Sequence, residues 1–153
     1  WFAPILSFTT EEVFQIIKKN NDLSVHLQSF PKIPANWENK KLSEKWEKFK
    51  IVRKVVNAAI EVKRTNKDIG SSLEASIEIY LSEEYLKLVK DFDLSEYFIT
   101  SDAIAKKISN NSELFKLDEI EDIKVLVRKA KGEKCPRCWK IFPHPCTRCN
   151  SKN

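Results

Sequence analysis

The chain has 153 residues, 42% of them hydrophobic and 32% charged, with a formal net charge of +5. This suits one ordinary soluble domain, or a small one carrying an appendage. No apolar run approaches the ~18 residues that span a bilayer, and two glycines are too few for a glycine-rich phosphate loop.

The opening Trp1-Phe-Ala-Pro-Ile-Leu-Ser-Phe8 is too short for a secretion signal and lacks its basic flank. With no methionine anywhere, the chain reads as a piece of something longer. Residues 1–70 read as helical. Thr9 with Glu12 three residues on predicts a capping box, followed by an apolar face of Val13, Phe14, Ile16 and Ile17. Phe30-Pro-Lys-Ile-Pro34 is a connector. A long helix is expected from Leu42 to Thr65, because Leu42, Trp46, Phe49, Val52, Val56 and Ile60 recur at three- and four-residue spacing. Its other face shows Lys45, Lys48, Arg53 and Lys63. Gly70 is expected to stop it.

Residues 71–130 read as a small α+β unit with a sheet of roughly three strands. Ala75, Ile77, Ile79 and Leu81 alternate with Ser76, Glu78 and Tyr80, as in a half-buried strand. Ser82-Glu-Glu-Tyr85 opens a helix with acids in its first turn. Tyr97–Thr100 and Ile123–Val127 are the other expected strands, and Ser109–Glu113 a surface loop. Gly132 is expected to hinge the last section, 131–153.

That section holds all four cysteines: Cys135-Pro-Arg-Cys138, seven residues, then Cys146-Thr-Arg-Cys149. Four thiolates at ~2.3 Å from a zinc ion lie roughly 3.8 Å apart, and a tetrahedron of them leaves no open position. The site is therefore structural, and the seven-residue connector must turn back through Phe142-Pro-His-Pro-Cys146. Disulfide or redox chemistry is the competing reading of these cysteines. Metal binding supplies folding energy here, since Trp139, Ile141 and Phe142 are the main apolar residues of the tail. His144 sits inside the loop but is not needed as a ligand.

From Arg128 onward there are eight basic residues against one acid, Glu133, so residues 1–127 sum to −2. A zinc-tetrathiolate centre contributes −2 and leaves the tail near +5. A basic knob with Trp139 between Arg137 and Lys140 suits phosphate contacts and base stacking; the alternative is that Trp139 is the small core of the knuckle. No catalytic constellation assembles, because His26 and His144 lack nucleophile partners. Glu61, Asp68 and Glu74 read as solvated acids at helix ends.

Three stretches together resemble the C-terminal region of bacterial-type isoleucyl-tRNA synthetase: Ala3-Pro-Ile-Leu-Ser-Phe-Thr-Thr-Glu-Glu-Val13, Asn66-Lys-Asp-Ile-Gly-Ser-Ser-Leu-Glu-Ala75, and Gly132-Glu-Lys-Cys-Pro-Arg-Cys-Trp139 with Cys146-Thr-Arg-Cys149. Two features depart from the family: the connector between the knuckles is short, and Phe14 stands where tryptophan is common. The resemblance implies three parts: 1–70 from an anticodon-binding helical bundle, 71–130 an α+β subdomain, and 131–153 a zinc-binding tail. It implies a cytoplasmic, monomeric enzyme that ligates isoleucine to its tRNA using ATP, with catalytic and editing domains upstream. The catalytic motifs of that class need His-x-x-His and methionine, which this chain lacks, so no catalytic residue is expected here.

The metal ligands expected are Cys135, Cys138, Cys146 and Cys149, holding one zinc. The tRNA-contact candidates are Arg137, Trp139, Lys140 and Arg148 on the tail, with Arg53, Lys54, Lys63, Arg64 and Lys67 on the helical section. Two alternatives stay open: the zinc-finger portion of a DNA glycosylase, and a zinc-capped docking module without a nucleic-acid role.

Overall fold

The computed structural model describes residues 1–19, 22–108, 114–143, 145, 146 and 149. The chain divides into two compact units, Trp1–Asn39 and Lys40–Asn153. Within the second unit the long helix packs with the sheet.

In the first unit, helix α1 (Ser7–Lys18) begins two residues ahead of the expected capping box. Leu6 precedes it without a side-chain cap, so Thr9 and Glu12 lie inside the helix. Thr10 Oγ1 instead donates back to the Leu6 carbonyl at 2.7 Å. Glu11 does the tying: its carboxylate accepts from Gln15 Nε2 (2.7 Å), Ser24 Oγ (3.0 Å) and the Val25 amide (2.9 Å). The bond from Gln15, then that from Val25, lowers its pKa below the ordinary carboxylate value. No described residue of this unit is buried. Phe8, Ile16, Ile17 and Trp37 stand in the open, and Phe14 is only half-buried.

The second unit opens with α2 (Lys40–Thr65), whose buried stripe is Phe49, Val52, Val55, Val56, Ala59 and Ile60. Leu42, expected in that stripe, is exposed, while Trp46 is half-buried against the core. The helix ends without glycine. Lys67 takes a left-handed φ of 62°, with its amide donating to the Arg64 carbonyl and the Asp68 amide to that of Lys63 (both 3.0 Å). Gly70 is therefore not the stop; its amide donates to Glu74 Oε2 at 3.0 Å. Asp68 pairs with Lys63 and Glu61 with Arg64, so these three acids have partners within the fold.

Among the described residues the sheet has four strands, one more than expected, in the order β2 (Asp102–Lys107), β1 (Ala75–Leu81), β4 (Ile120–Lys129), β3 (Phe115–Leu117). Strand β1 (Ala75–Leu81) alternates buried and half-buried as predicted. Helix α3 (Glu83–Val89) follows. Tyr97–Thr100, expected as a strand, instead closes a short helix α4 (Leu94–Tyr97). Asp93 forces this outcome: its Oδ1 accepts from the Glu96 amide (3.1 Å) and Ser95 Oγ (2.8 Å), capping the turn. The strand comes later, as β2 (Asp102–Lys107), parallel to β1. β3 (Phe115–Leu117) was not foreseen, and β4 (Ile120–Lys129) is twice the expected length and antiparallel to β1. The expected loop at 109–113 lies outside the described residues.

Aromatic rings fill the space between α2 and α4. Phe49 lies 4.3 Å from Tyr97 and 4.8 Å from Phe92, centroid to centroid. After β4, Gly132 turns the chain at φ 125°, where a Cβ would overlap the Phe142 carbonyl. The turn leads into a small hairpin, β5 (Glu133–Lys134) against β6 (Ile141–Phe142). Gly132 is thus less a hinge than a point of close approach between two backbones. Because Phe49 is 1% exposed and central to the aromatic cluster, Phe49→Ala is expected to cost about 3–5 kcal/mol in denaturant unfolding. A cost below about 1 kcal/mol would contradict this packing.

Candidate metal centre and nucleic-acid interface

The first cysteine pair occupies the tip of the β5–β6 hairpin. The Cys135 amide donates to the Lys140 carbonyl (2.9 Å) and the Trp139 amide to the Cys135 carbonyl (3.0 Å), drawing Cys135 and Cys138 into one tight knuckle. Closing it puts Trp139 at a left-handed φ of 64°. In the second pair the Cys149 amide donates to the Cys146 carbonyl (3.3 Å). All four sulfurs lie within 4.8 Å of one another. The Cys138 and Cys146 sulfurs are 3.7 Å apart, matching the ~3.8 Å edge of a metal tetrahedron and far beyond a ~2.05 Å disulfide bond. Cys135 and Cys146 are buried, Cys138 and Cys149 half-buried.

The sulfurs are electrostatically unequal. Backbone hydrogen bonds from Cys138 and Arg137 lower the Cys135 pKa to about 6. Burial, then hydrogen bonding with the other three thiols, pushes Cys149 up to about 12. The four thiols share hydrogen bonds, and a bound cation would displace the protons that remain on them. His144 and Arg148 fall outside the described residues.

Sequence reasoning missed how the hairpin is held. Lys140, grouped with the exposed basic residues, is 5% exposed. Its Nζ donates to Glu96 Oε1 (2.5 Å) and Ser95 Oγ (3.2 Å) on α4. The neighbouring Ile141 amide donates to Ser101 Oγ (2.6 Å), which in turn donates to the Leu73 carbonyl (2.5 Å). The metal hairpin is thus bonded directly to the turn between α4 and β2. The one local signal was Asp93-Leu-Ser-Glu96, a helix-opening pattern that fixes where Ser95 and Glu96 stand.

The remaining candidates divide in two. Arg137 and Trp139 are exposed on the hairpin tip, Trp139 at 60% with Lys134 Nζ 5.9 Å from its ring. On the helical side, Arg53 lies over the Tyr97 ring at 5.1 Å and Lys54 approaches Glu119 at 3.9 Å. Lys63 pairs with Asp68 at 2.9 Å, and Arg64 makes two bonds to Glu61, at 2.8 and 2.9 Å. Lys67 projects from the left-handed end of α2. These exposed pairs are individually weak.

Since protons and metal compete for the same sulfurs, affinity must fall as pH falls. Lowered from the ordinary value of 9 to about 6, Cys135 keeps its thiolate at neutrality and loses it as pH drops through 6. A chelator-competition titration is expected to show progressively easier metal removal from pH 7 to 5. Retention independent of pH across that range would contradict four-thiolate ligation.

Residues 1–79 match the family described as the anticodon-binding domain of tRNA ligase. Across most of its length the chain is similar to isoleucine–tRNA ligases. With that of Pelagibacter ubique it is 45% identical over 148 residues, 97% of this chain and 15% of the relative. With that of Rhodopseudomonas palustris it is 41% identical over 146 residues, covering 93% and 14%. With that of Natranaerobius thermophilus it is 35% identical over 161 aligned residues, covering 97% and 17%. The chain thus spans about 15% of the length of these relatives. The glycosylase and docking-module alternatives find no support in these matches. By the match over its first 79 residues, this chain belongs to the family of anticodon-binding domains of tRNA ligases.

Proposed function

We propose that this chain is the anticodon-side, tRNA-binding portion of an isoleucine–tRNA ligase, and that its four cysteines hold one structural zinc. The parent enzyme joins isoleucine to its tRNA using ATP, as a cytoplasmic monomer, through catalytic and editing domains elsewhere in the same protein. The family match supports the tRNA arm of this reading, and the named activity of the relatives supports the isoleucine arm. Zinc suits a closed set of four thiolates, two of them buried, better than metals that prefer oxygen or an open position.

The observation that carries the interface is Trp139. A large aromatic side chain stands 60% exposed on a backbone held left-handed by the knuckle. That arrangement displays a flat ring outward instead of burying it, as a stacking platform requires. Arg137 beside it, with Arg148, supplies phosphate contacts; Lys140 serves by fixing the hairpin to α4. Arg53, Lys54, Lys63, Arg64 and Lys67, distributed around α2 and its end, are further candidates for contacts with the backbone of the stem, exchanging acid partners for phosphates. The division of labour is 1–70 as part of the anticodon-binding bundle, 71–130 as a supporting α+β subdomain and 131–153 as the zinc tail. The exposed Phe8, Ile16 and Ile17 of the first unit suit burial against other helices of that bundle in the parent enzyme.

Trp139→Ala in the full-length enzyme is expected to weaken isoleucine-tRNA binding by on the order of 1–3 kcal/mol, with zinc content unchanged. Loss of zinc from this variant would instead make Trp139 part of the knuckle core. Unchanged affinity would remove the tail from the interface.

A further inference from the structure

The outer strand of the sheet is β2, which pairs with β1 on one side and with no described strand on the other. Its register sets Leu81 against Lys107, and the Ile108 amide donates to the Leu81 carbonyl at 2.9 Å. Parallel strands bond through alternate residues. Asp102, Ile104 and Lys106 therefore face β1, while Ala103 and Ala105 turn their amides and carbonyls to the open side. Groups of this kind recur every second residue, about 6.6 Å apart, and make a bare strand edge.

Between that edge and α3 runs a groove of about 600 Å³. Leu86, Val89, Phe92 and Leu94 form its apolar wall, and Ala103 and Ala105 line it from the strand. Two methyl groups there leave room for larger side chains to enter. The margin is basic. Lys87 and Lys90 stand exposed at the groove, with no ion pair among the described residues, and Lys45 Nζ lies 4.9 Å from the Phe92 ring centroid. The acid in the lining, Asp93, already accepts from Ser95 Oγ and the Glu96 amide. Lys106 and Lys107, at one end of the strand, are taken by Glu78 and Glu83 at 2.8 and 3.2 Å.

We propose that β2 accepts an extended segment of a separate protein as a fifth strand, its apolar side chains filling the groove and its acids meeting Lys87 and Lys90. Strand addition draws affinity from main-chain bonds and specificity from pockets for alternate side chains. Both are present here. Nucleic acid would answer the lysines but leave the apolar wall and the row of backbone groups unmatched. A second copy of this chain would bring the same lysines to one seam, where like charges oppose pairing. The inference goes beyond the tRNA-binding reading, because β2 and α3 carry none of the tRNA-contact candidates.

The test uses the full-length enzyme and two synthetic peptides with blocked ends, Glu-Thr-Val-Thr-Val-Thr-Glu and Lys-Thr-Val-Thr-Val-Thr-Lys. The readout is amide hydrogen exchange resolved to single residues. In the enzyme alone, the Ala103 and Ala105 amides are expected to exchange fast, and those of Ile104 and Lys106 slowly. Saturating acidic peptide should slow Ala103 and Ala105 about tenfold or more, whereas the lysine peptide should not. Ala105→Pro removes an outward amide without touching the β1 ladder, a change that a sheet edge tolerates, and should abolish the protection of Ala103. Lys87→Glu together with Lys90→Glu, both at exposed positions, should weaken the acidic peptide about tenfold and admit the lysine peptide. Slow exchange of Ala103 and Ala105 in the enzyme alone means that its own chain covers the edge, and overturns the proposal. Protection by isoleucine tRNA in place of the acidic peptide overturns it too, as does no protection by either peptide. Each of these failures leaves the tRNA-binding reading standing, since that reading is tested at Trp139.

Discussion

Four sulfurs within 4.8 Å of one another are the constraint on which the candidate interface depends. The hairpin that carries two of them has only two residues in each strand, too little to fold on hydrogen bonds alone. Hydrophobic burial adds little, because its largest side chain, Trp139, faces outward. Four clustered cysteines suit a cation, whose binding would add free energy to that of the bonds from Lys140 and Ile141. A metal that closes the knuckle also sets the backbone at Trp139.

The second constraint is docking. A metal knuckle on a free tether would sweep a wide volume and make poor use of its arginines. Here Lys140 reaches α4 and Ser101 receives the Ile141 amide, so the tip is referenced to the sheet. Asp93 matters to this at one remove. Ser95 and the Glu96 amide hold its carboxyl below the ordinary value, with a smaller contribution from the Lys140 charge. Cap, latch and knuckle form one bonded series from α4 to the sulfurs. Both exposed apolar residues near the knuckle, Ile99 and Trp139, sit at left-handed backbone positions. Each trades local strain for outward display, which is how binding surfaces commonly differ from cores.

What the sequence revealed follows from the range of the interactions concerned. The clustering of the four cysteines was legible because each Cys-x-x-Cys encodes a local turn. β1 was legible because one face of it is buried, as the Ala75–Leu81 alternation required. Tyr97–Thr100 misled, because a short aromatic and β-branched run fits a strand or a buried helix end equally well. The decision lay with Asp93, four residues earlier. Gly70 misled for a related reason: the stop came from Lys67 adopting a conformation usually left to glycine. Lys140 was unreadable locally. Its burial depends on Ser95 and Glu96, more than forty residues away, and among eight basic tail residues nothing set it apart.

The most direct test is the affinity of the full-length enzyme for isoleucine tRNA, against a non-cognate tRNA, before and after zinc is stripped, over a series of salt concentrations. With zinc bound, cognate preference and steep salt dependence are expected. Without zinc, both the preference and part of the salt slope should be lost, because the tail's phosphate contacts and its stacked base go together. Equal affinity and an equal salt slope with and without zinc would contradict it, reducing the metal to a fastening and moving recognition elsewhere in the enzyme.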